Sequence, residues 1–161
     1  MDQEEILRQA KAFFFQAMRE GYAKEGQTKE TPPEIPGCKV ITFAQGDFRL
    51  EDRYFVAGYS DKSYGTTTIW YRDEVVWMMQ YFGKYEEEAI PFLKEALMAA
   101  YEIDQFAGGR GPEEYRRGTL SYVNTVQLSQ FERFEGKEEI WDLAQHGKAR
   151  GWHEYHGMAL I

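Results

Sequence analysis

The sequence predicts an α+β fold: an antiparallel, aromatic-rich β-sheet with two main helices, one N-terminal and one central, packed on it. Three observations lead there. Residues 2–20 and 86–102 carry apolar side chains at the three- and four-residue spacing of a helix. Over residues 39–85, and again from Leu120, the period changes to two. The strands come in consecutive blocks on either side of the central helix and do not alternate with helices. That excludes a regular βαβ layout with its parallel sheet.

In the first helix Ile6, Leu7, Ala10, Phe13, Phe14, Ala17 and Met18 make one apolar stripe. Asp2 and Glu5 have the spacing of a capping box, with Asp in place of Ser or Thr. Gly21 or Gly26 is the expected stop. Residues 26–37 are polar and contain Pro32, Pro33 and Pro36. They form a loop, because each proline pushes the residue before it into extended geometry.

Strands are expected at 39–44, 47–56, 66–72 and 75–82. Gly46-Asp47 and Arg72-Asp73 are turn signals, the second a tight hairpin between two β-prone runs. In the central helix Ile90, Leu93, Ala96, Leu97, Ala100 and Tyr101 share a face. Pro91 is tolerated only in the first turn, so the regular helix starts near Ala89. The run GGRGP at 108–112 then punctuates the chain. Leu120, Tyr122, Val126 and Leu128 alternate with Ser121, Thr125, Gln127 and Ser129, a strand with one wet face that Asn124 interrupts once. A turn at 135–137 leads to a strand over 138–145, and residues 152–161 close the fold. At 161 residues one domain is expected: helix 2–20, proline-rich loop 26–37 and body 39–161.

Composition narrows the function classes. Hydrophobic residues at 43% and charged residues at 29% are ordinary for a soluble protein. A net charge of −8 argues against direct nucleic acid binding, which needs clustered Lys and Arg. The single Cys38 excludes an internal disulfide and a cysteine-built zinc site, and it suits a reducing cytoplasm. The acidic opening MDQEEILRQ is no signal peptide, and no apolar run approaches the roughly 20 residues of a membrane span, so no membrane partner is expected. There is no Walker loop, dinucleotide fingerprint, GxSxG or HExxH. No cofactor and no metal are expected.

Three places could carry chemistry. In an extended strand Trp77, Met79 and Tyr81 share one face, while Val76, Met78, Gln80 and Phe82 share the other. Both faces are largely apolar, which predicts a central strand covered on both sides. It is either core, or one face lines a cavity where Trp77, Tyr81 and Tyr54 orient a small molecule by their polar tips. In GGRGP, successive glycines can converge backbone N–H groups on an anion, with Arg110 adding a fork for carboxylate or phosphate. The plainer alternative is a glycine helix stop and a turn. Of His146, His153 and His156, the last two lie three apart in a strand and so face opposite sides, unable to share a metal. His156, if inside beside Tyr155, is a general-base candidate, against the alternative of a structural histidine. The acidic clusters at 86–88, 113–114 and 138–139 read as solvated faces.

The ordered series GDFRLEDRYF, GTTTIWYRDEVVWMMQYFGKY, FLKEAL, GRGPEEYRRGTLSYVNTV, FEGKEEIW and YHGMALI resembles a bacterial domain-of-unknown-function family. Its members look like stand-alone proteins or the C-terminal half of Xre-type helix-turn-helix regulators. The similarity runs from about Gly46 to the C-terminus. It implies importance for Tyr54, Trp77, Tyr81, Gly83, Arg110, Gly111, Pro112, Tyr155 and His156. Met158 stands where a second glycine is expected. No DNA-reading helix-turn-helix unit is evident in this acidic chain, so regulator status does not carry over, and the family brings no activity to inherit.

The resulting expectation is a small-molecule-binding or regulatory module whose ligand meets Tyr54, Trp77, Tyr81, Arg110 and His156. One alternative is a metal-independent enzyme with His156 as base and Arg110 holding an anionic substrate, which requires both in one cleft. The other is a homodimer whose apolar surplus forms the interface.

Overall fold

The computed structural model describes residues 1–23 and 29–161, and of Gln145 only the backbone. Helix α1 spans Gln3–Ala17, and the Asp2 side chain accepts the Glu5 N–H at 2.9 Å, the cap that the sequence predicts. The helix does not stop at a glycine. It widens into a π turn, Met18–Tyr22, which contains Gly21. Gly26, and the proposed loop as far as residue 28, lie outside the described residues.

Strands β1 (Cys38–Gln45), β2 (Phe48–Val56), β3 (Lys62–Tyr71) and β4 (Glu74–Tyr85) form an antiparallel meander. A 3-10 turn, Glu87–Ala89, and helix α2 (Ile90–Tyr101) lead to a second meander. It comprises β5 (Glu114–Arg117), β6 (Leu120–Gln130), β7 (Arg133–Asp142) and β8 (Lys148–Ala159). The two meanders join through β4 and β8, giving a single sheet in the order β1-β2-β3-β4-β8-β7-β6-β5 among the described residues. This is the α+β class that the periodicity predicts. Arg72, at φ 56°, makes the expected two-residue hairpin between β3 and β4.

Both helices pack on the inner face. Phe14 of α1 meets Trp77 at 5.3 Å between ring centres, and Trp77 is stacked between Phe131 and Phe134 at 5.2 Å from each. Its indole N–H donates to the Phe131 carbonyl at 2.9 Å. β4 is central, but among the described residues no helix lies on its outer side, where Met78, Gln80 and Phe82 are only half-buried. The expected cover on both faces is therefore present on one.

Two local features differ from the sequence reading. The four-residue edge strand β5 was invisible to a period-two pattern, being too short to show one. Gly136 is not in a turn: β7 passes straight through it, and the turn falls at 131–132. Gly136 stands opposite Tyr155 on β8, and a Cβ placed there would lie 2.4 Å from the tyrosine hydroxyl. Glycine inside a strand marks such a close approach.

The same device recurs. Gly65 on β3 sits beneath Tyr81 of β4, its missing Cβ 2.5 Å from the ring. In each case the glycine lets a side chain cross a whole strand. Tyr81 passes over β3 to donate to Asp52 on β2, at 2.9 Å to Oδ1 and 3.0 Å to Oδ2. Tyr155 passes over β7 to donate to Asn124 Oδ1 on β6 at 2.5 Å. Substituting Gly65→Ala should cost about 1–3 kcal/mol by overpacking, because both Tyr81 and the Tyr54 Cβ, 2.7 Å away, would have to move. Urea unfolding measures it, and an unchanged midpoint would show that the ring does not lie there.

Candidate functional site

The inner face of the sheet carries a buried polar layer. At its centre Arg110, delivered by the GGRGP loop, forks onto Glu138 of β7: Nε reaches Oε2 at 3.1 Å and Nη2 reaches Oε1 at 2.5 Å. Both side chains are at most 1% exposed. Tyr122 donates to Glu138 Oε2 at 2.6 Å and accepts the Gly111 N–H at 2.9 Å. Asn124 donates to the carbonyls of Ala107 and Gly111, and Tyr101 donates to that of Gly109. The loop is thus pinned from three sides. Burial alone would raise the Glu138 carboxyl, but the Arg110 charge wins and holds it at about 2. The arginine fork anticipated for an outside anion is committed to an internal carboxylate. Glu138, grouped above with the solvated acids, is fully buried because it shares the inward side of β7 with Phe134 and Ile140.

A second buried acid lies towards β2. Asp52 accepts from Thr67 Oγ1 at 2.8 Å and from Tyr81, and burial pushes its carboxyl up to about 6 against those bonds and the pull of Arg110 and Lys29.

Between these acids stands His153 of β8. Gly83 of β4 faces it in register and lies between it and Ser63 of β3; a Cβ there would sit 2.7 Å from the imidazole. The ring crosses the glycine, and its Nε2 lies 3.3 Å from Ser63 Oγ. Its Nδ1 points at Glu138 Oε1 from 3.6 Å, beyond hydrogen-bond length, and is left without a partner. Burial depresses the imidazole pKa and so favours the neutral ring. Tyr85 packs edge-on against it at 4.7 Å, and its hydroxyl is also buried without a hydrogen bond.

Over this corner of the sheet is a cavity of about 150 Å³. Tyr22 from the π turn, Tyr54, Tyr81, Tyr85, Ser63 and His153 line it together with the charged Lys29, Asp61 and Lys94, while Ile41, Val56, Leu93 and Leu97 supply apolar wall. A cavity of that size has room for a benzene-sized molecule. Among the described residues no group of three His, Cys, Asp or Glu is placed to hold a metal, and no helix is long and apolar enough to cross a membrane.

Of the five residues predicted from the sequence, only Tyr54 and Tyr81 line this cavity. Trp77 is core, held in the Phe131–Phe134 sandwich. Arg110 lies behind the wall, its guanidinium 5.6 Å from the centre of the Tyr81 ring. His156 is exposed on the outer side of β8, in register with Gln80 and Glu135. The alternation that sets Tyr155 inward sets His156 outward, so a shared His156–Arg110 cleft is ruled out and His153 is the inward histidine. Sequence reasoning missed Asp52, Ser63, Tyr85 and Glu138 as well. A signal did exist: an isolated polar residue at inward parity, two positions from a large apolar one, beside strands that contain glycine.

A family model matches residues 43–158, more than two thirds of the chain. The chain belongs to the family Domain of unknown function DUF5680. The matched stretch contains Asp52, Tyr54, Ser63, Tyr81, Tyr85, Arg110, Glu138 and His153, whereas Tyr22 and Lys29 precede it. The DUF5680 match thus covers the polar layer and most of the cavity wall, while α1 and the π turn lie outside it. Comparison with curated proteins and with solved structures finds no match.

Proposed function

We propose that this DUF5680 protein is a binding module for a small, planar, mostly apolar molecule with one or two hydrogen-bonding groups, taken into the cavity lined by Tyr54, Tyr81, Tyr85 and His153. One observation carries this: the Tyr85 side chain lines the cavity, and its hydroxyl is buried without a hydrogen bond. An unsatisfied buried polar group costs about 1–3 kcal/mol, and a ligand hydrogen bond would recover that loss. The composition of the wall fits the same ligand, with flat aromatic faces for contact and hydroxyl tips for orientation. In a regulatory module this ligand would be the signal.

The test is a thermal-shift screen with phenols, small aromatic amides and aromatic esters. A ligand at a hundred times its dissociation constant stabilises by about 2.7 kcal/mol. For a chain of this size that is a rise of roughly 5–10 °C in the unfolding midpoint. The shift should shrink in Tyr85→Phe and disappear in Leu93→Phe, which fills the cavity. Hits that survive Leu93→Phe unchanged would place the ligand elsewhere and end the proposal.

A further inference from the structure

We infer that Ser63, His153 and Glu138 form an acyl-transfer relay, and that the molecule taken into the cavity is a small ester which the protein cleaves with water. This rests on the cavity being a ligand site. The three side chains fall on one cross-strand row: Glu138 is in register with His153, His153 with Gly83, and Gly83 with Ser63. That row lines up Ser63 Oγ, the two ring nitrogens and the carboxylate, at 3.3 Å and 3.6 Å. A nucleophile, a base and an orienting group in that order are the recognisable parts of a serine hydrolase site, which is identified by geometry and not by sequence position. Unliganded sites commonly hold these contacts longer than the reacting complex does.

The cavity gives the relay a substrate position, since Ser63 and His153 both line it. Burial favours the neutral form of His153, the form a base requires. Glu138 accepts from Arg110 and Tyr122 already. It is therefore a positioning residue: it selects the tautomer with the proton on Nδ1 and leaves the Nε2 lone pair towards Ser63. Its charge is largely answered by Arg110, so it neutralises a charged imidazole less than a free carboxylate would.

In the first step Ser63 Oγ bonds to the ester carbonyl carbon as its proton passes to His153 Nε2. The bond from carbon to the alcohol oxygen breaks, and the alcohol leaves with the proton from Nε2. In the second step a water molecule attacks the acyl-serine, giving its proton to Nε2. The carboxylic acid departs, and the proton returns from Nε2 to Ser63 Oγ.

The experiment treats the full chain with a small dialkyl fluorophosphate and measures intact mass, then locates the adduct by digestion. One phosphoryl group on Ser63 is expected, with fluoride displaced. Ser63→Ala should give no adduct, and His153→Gln should slow labelling at least 100-fold with its thermal transition retained. Phenyl acetate should be hydrolysed by the native chain and not by Ser63→Ala. Nitrogen NMR of the native protein should show His153 protonated on Nδ1, and protonation on Nε2 instead would overturn the inference. So would an adduct on another residue, or labelling indifferent to His153→Gln. An unlabelled protein that still binds ligands in the thermal screen loses the relay and keeps the binding site. An unlabelled protein that binds none loses both.

Discussion

Replacing Arg110 with methionine should lower the unfolding free energy by about 3–5 kcal/mol, the usual cost of breaking a buried ion pair from one side. Glu138 would be left fully buried without its guanidinium partner, with Tyr122 still donating to it at 2.6 Å. At roughly 2–4 °C per kcal/mol the thermal midpoint should fall by about 6–20 °C. The loss comes from the orphaned charge, not from the pair having been strongly favourable, so the double variant Arg110→Met/Glu138→Met should regain at least half of it. Urea denaturation of the three proteins decides the matter. An Arg110→Met protein as stable as the native one would mean that Glu138 reaches water, and the polar layer described above would be wrong. A double variant no better than the single would instead show that Arg110 is needed chiefly to hold the GGRGP loop.

The second large effect is on pH dependence. The Asp52 carboxyl sits at about 6 in the folded protein against an ordinary value of 3.8, because burial outweighs its hydrogen bonds. The folded state therefore holds this proton more tightly than the unfolded state. Its contribution favours folding below about pH 4 and is lost as pH rises through about 6, a swing on the order of 3 kcal/mol. Glu138 acts in the opposite sense: its folded value of about 2 lies below 4.5, so its contribution is present above 4.5 and is lost as pH falls towards 2. His153, depressed by burial, likewise loses stability as pH falls below its ordinary 6.5. Because these overlap, the useful quantity is the difference between native and Asp52→Asn stability. Asparagine cannot titrate, so the variant should gain on the native protein by about 3 kcal/mol between pH 4 and pH 7. A difference that stays flat over that range would put Asp52 in contact with solvent.

The experiments turn on Asp52 and Glu138, which the sequence does not mark as site residues, and the reason is specific. The stripe of α1, the hairpin at Arg72-Asp73 and the alternation of β6 are local patterns. Each reports which side of an element is wet, and they suffice for the strand and helix blocks and for Tyr54 and Tyr81 facing inward. Gly136 was misplaced because glycine between charged residues has the same local appearance in a turn as in a strand. His156 was preferred to His153 for want of an anchor to say which parity of β8 faces the helices. Once Tyr155 and Gly136 are seen to be partners, that parity follows.

By itself the sequence determined the α+β class, the block order of strands and helices, and membership of a family recognisable from its spaced aromatic and glycine motifs. Local periodicity and turn chemistry carry that information, and they act over a few residues. The tertiary structure decided that Trp77 is core, that Arg110 serves Glu138, and that His153 faces Ser63 from 90 positions away in the chain. Those outcomes depend on register between strands far apart in sequence and on glycines that let one side chain cross a neighbouring strand. No short-range pattern encodes which strand will lie beside which, so the polar site came into view only when the sheet closed around it.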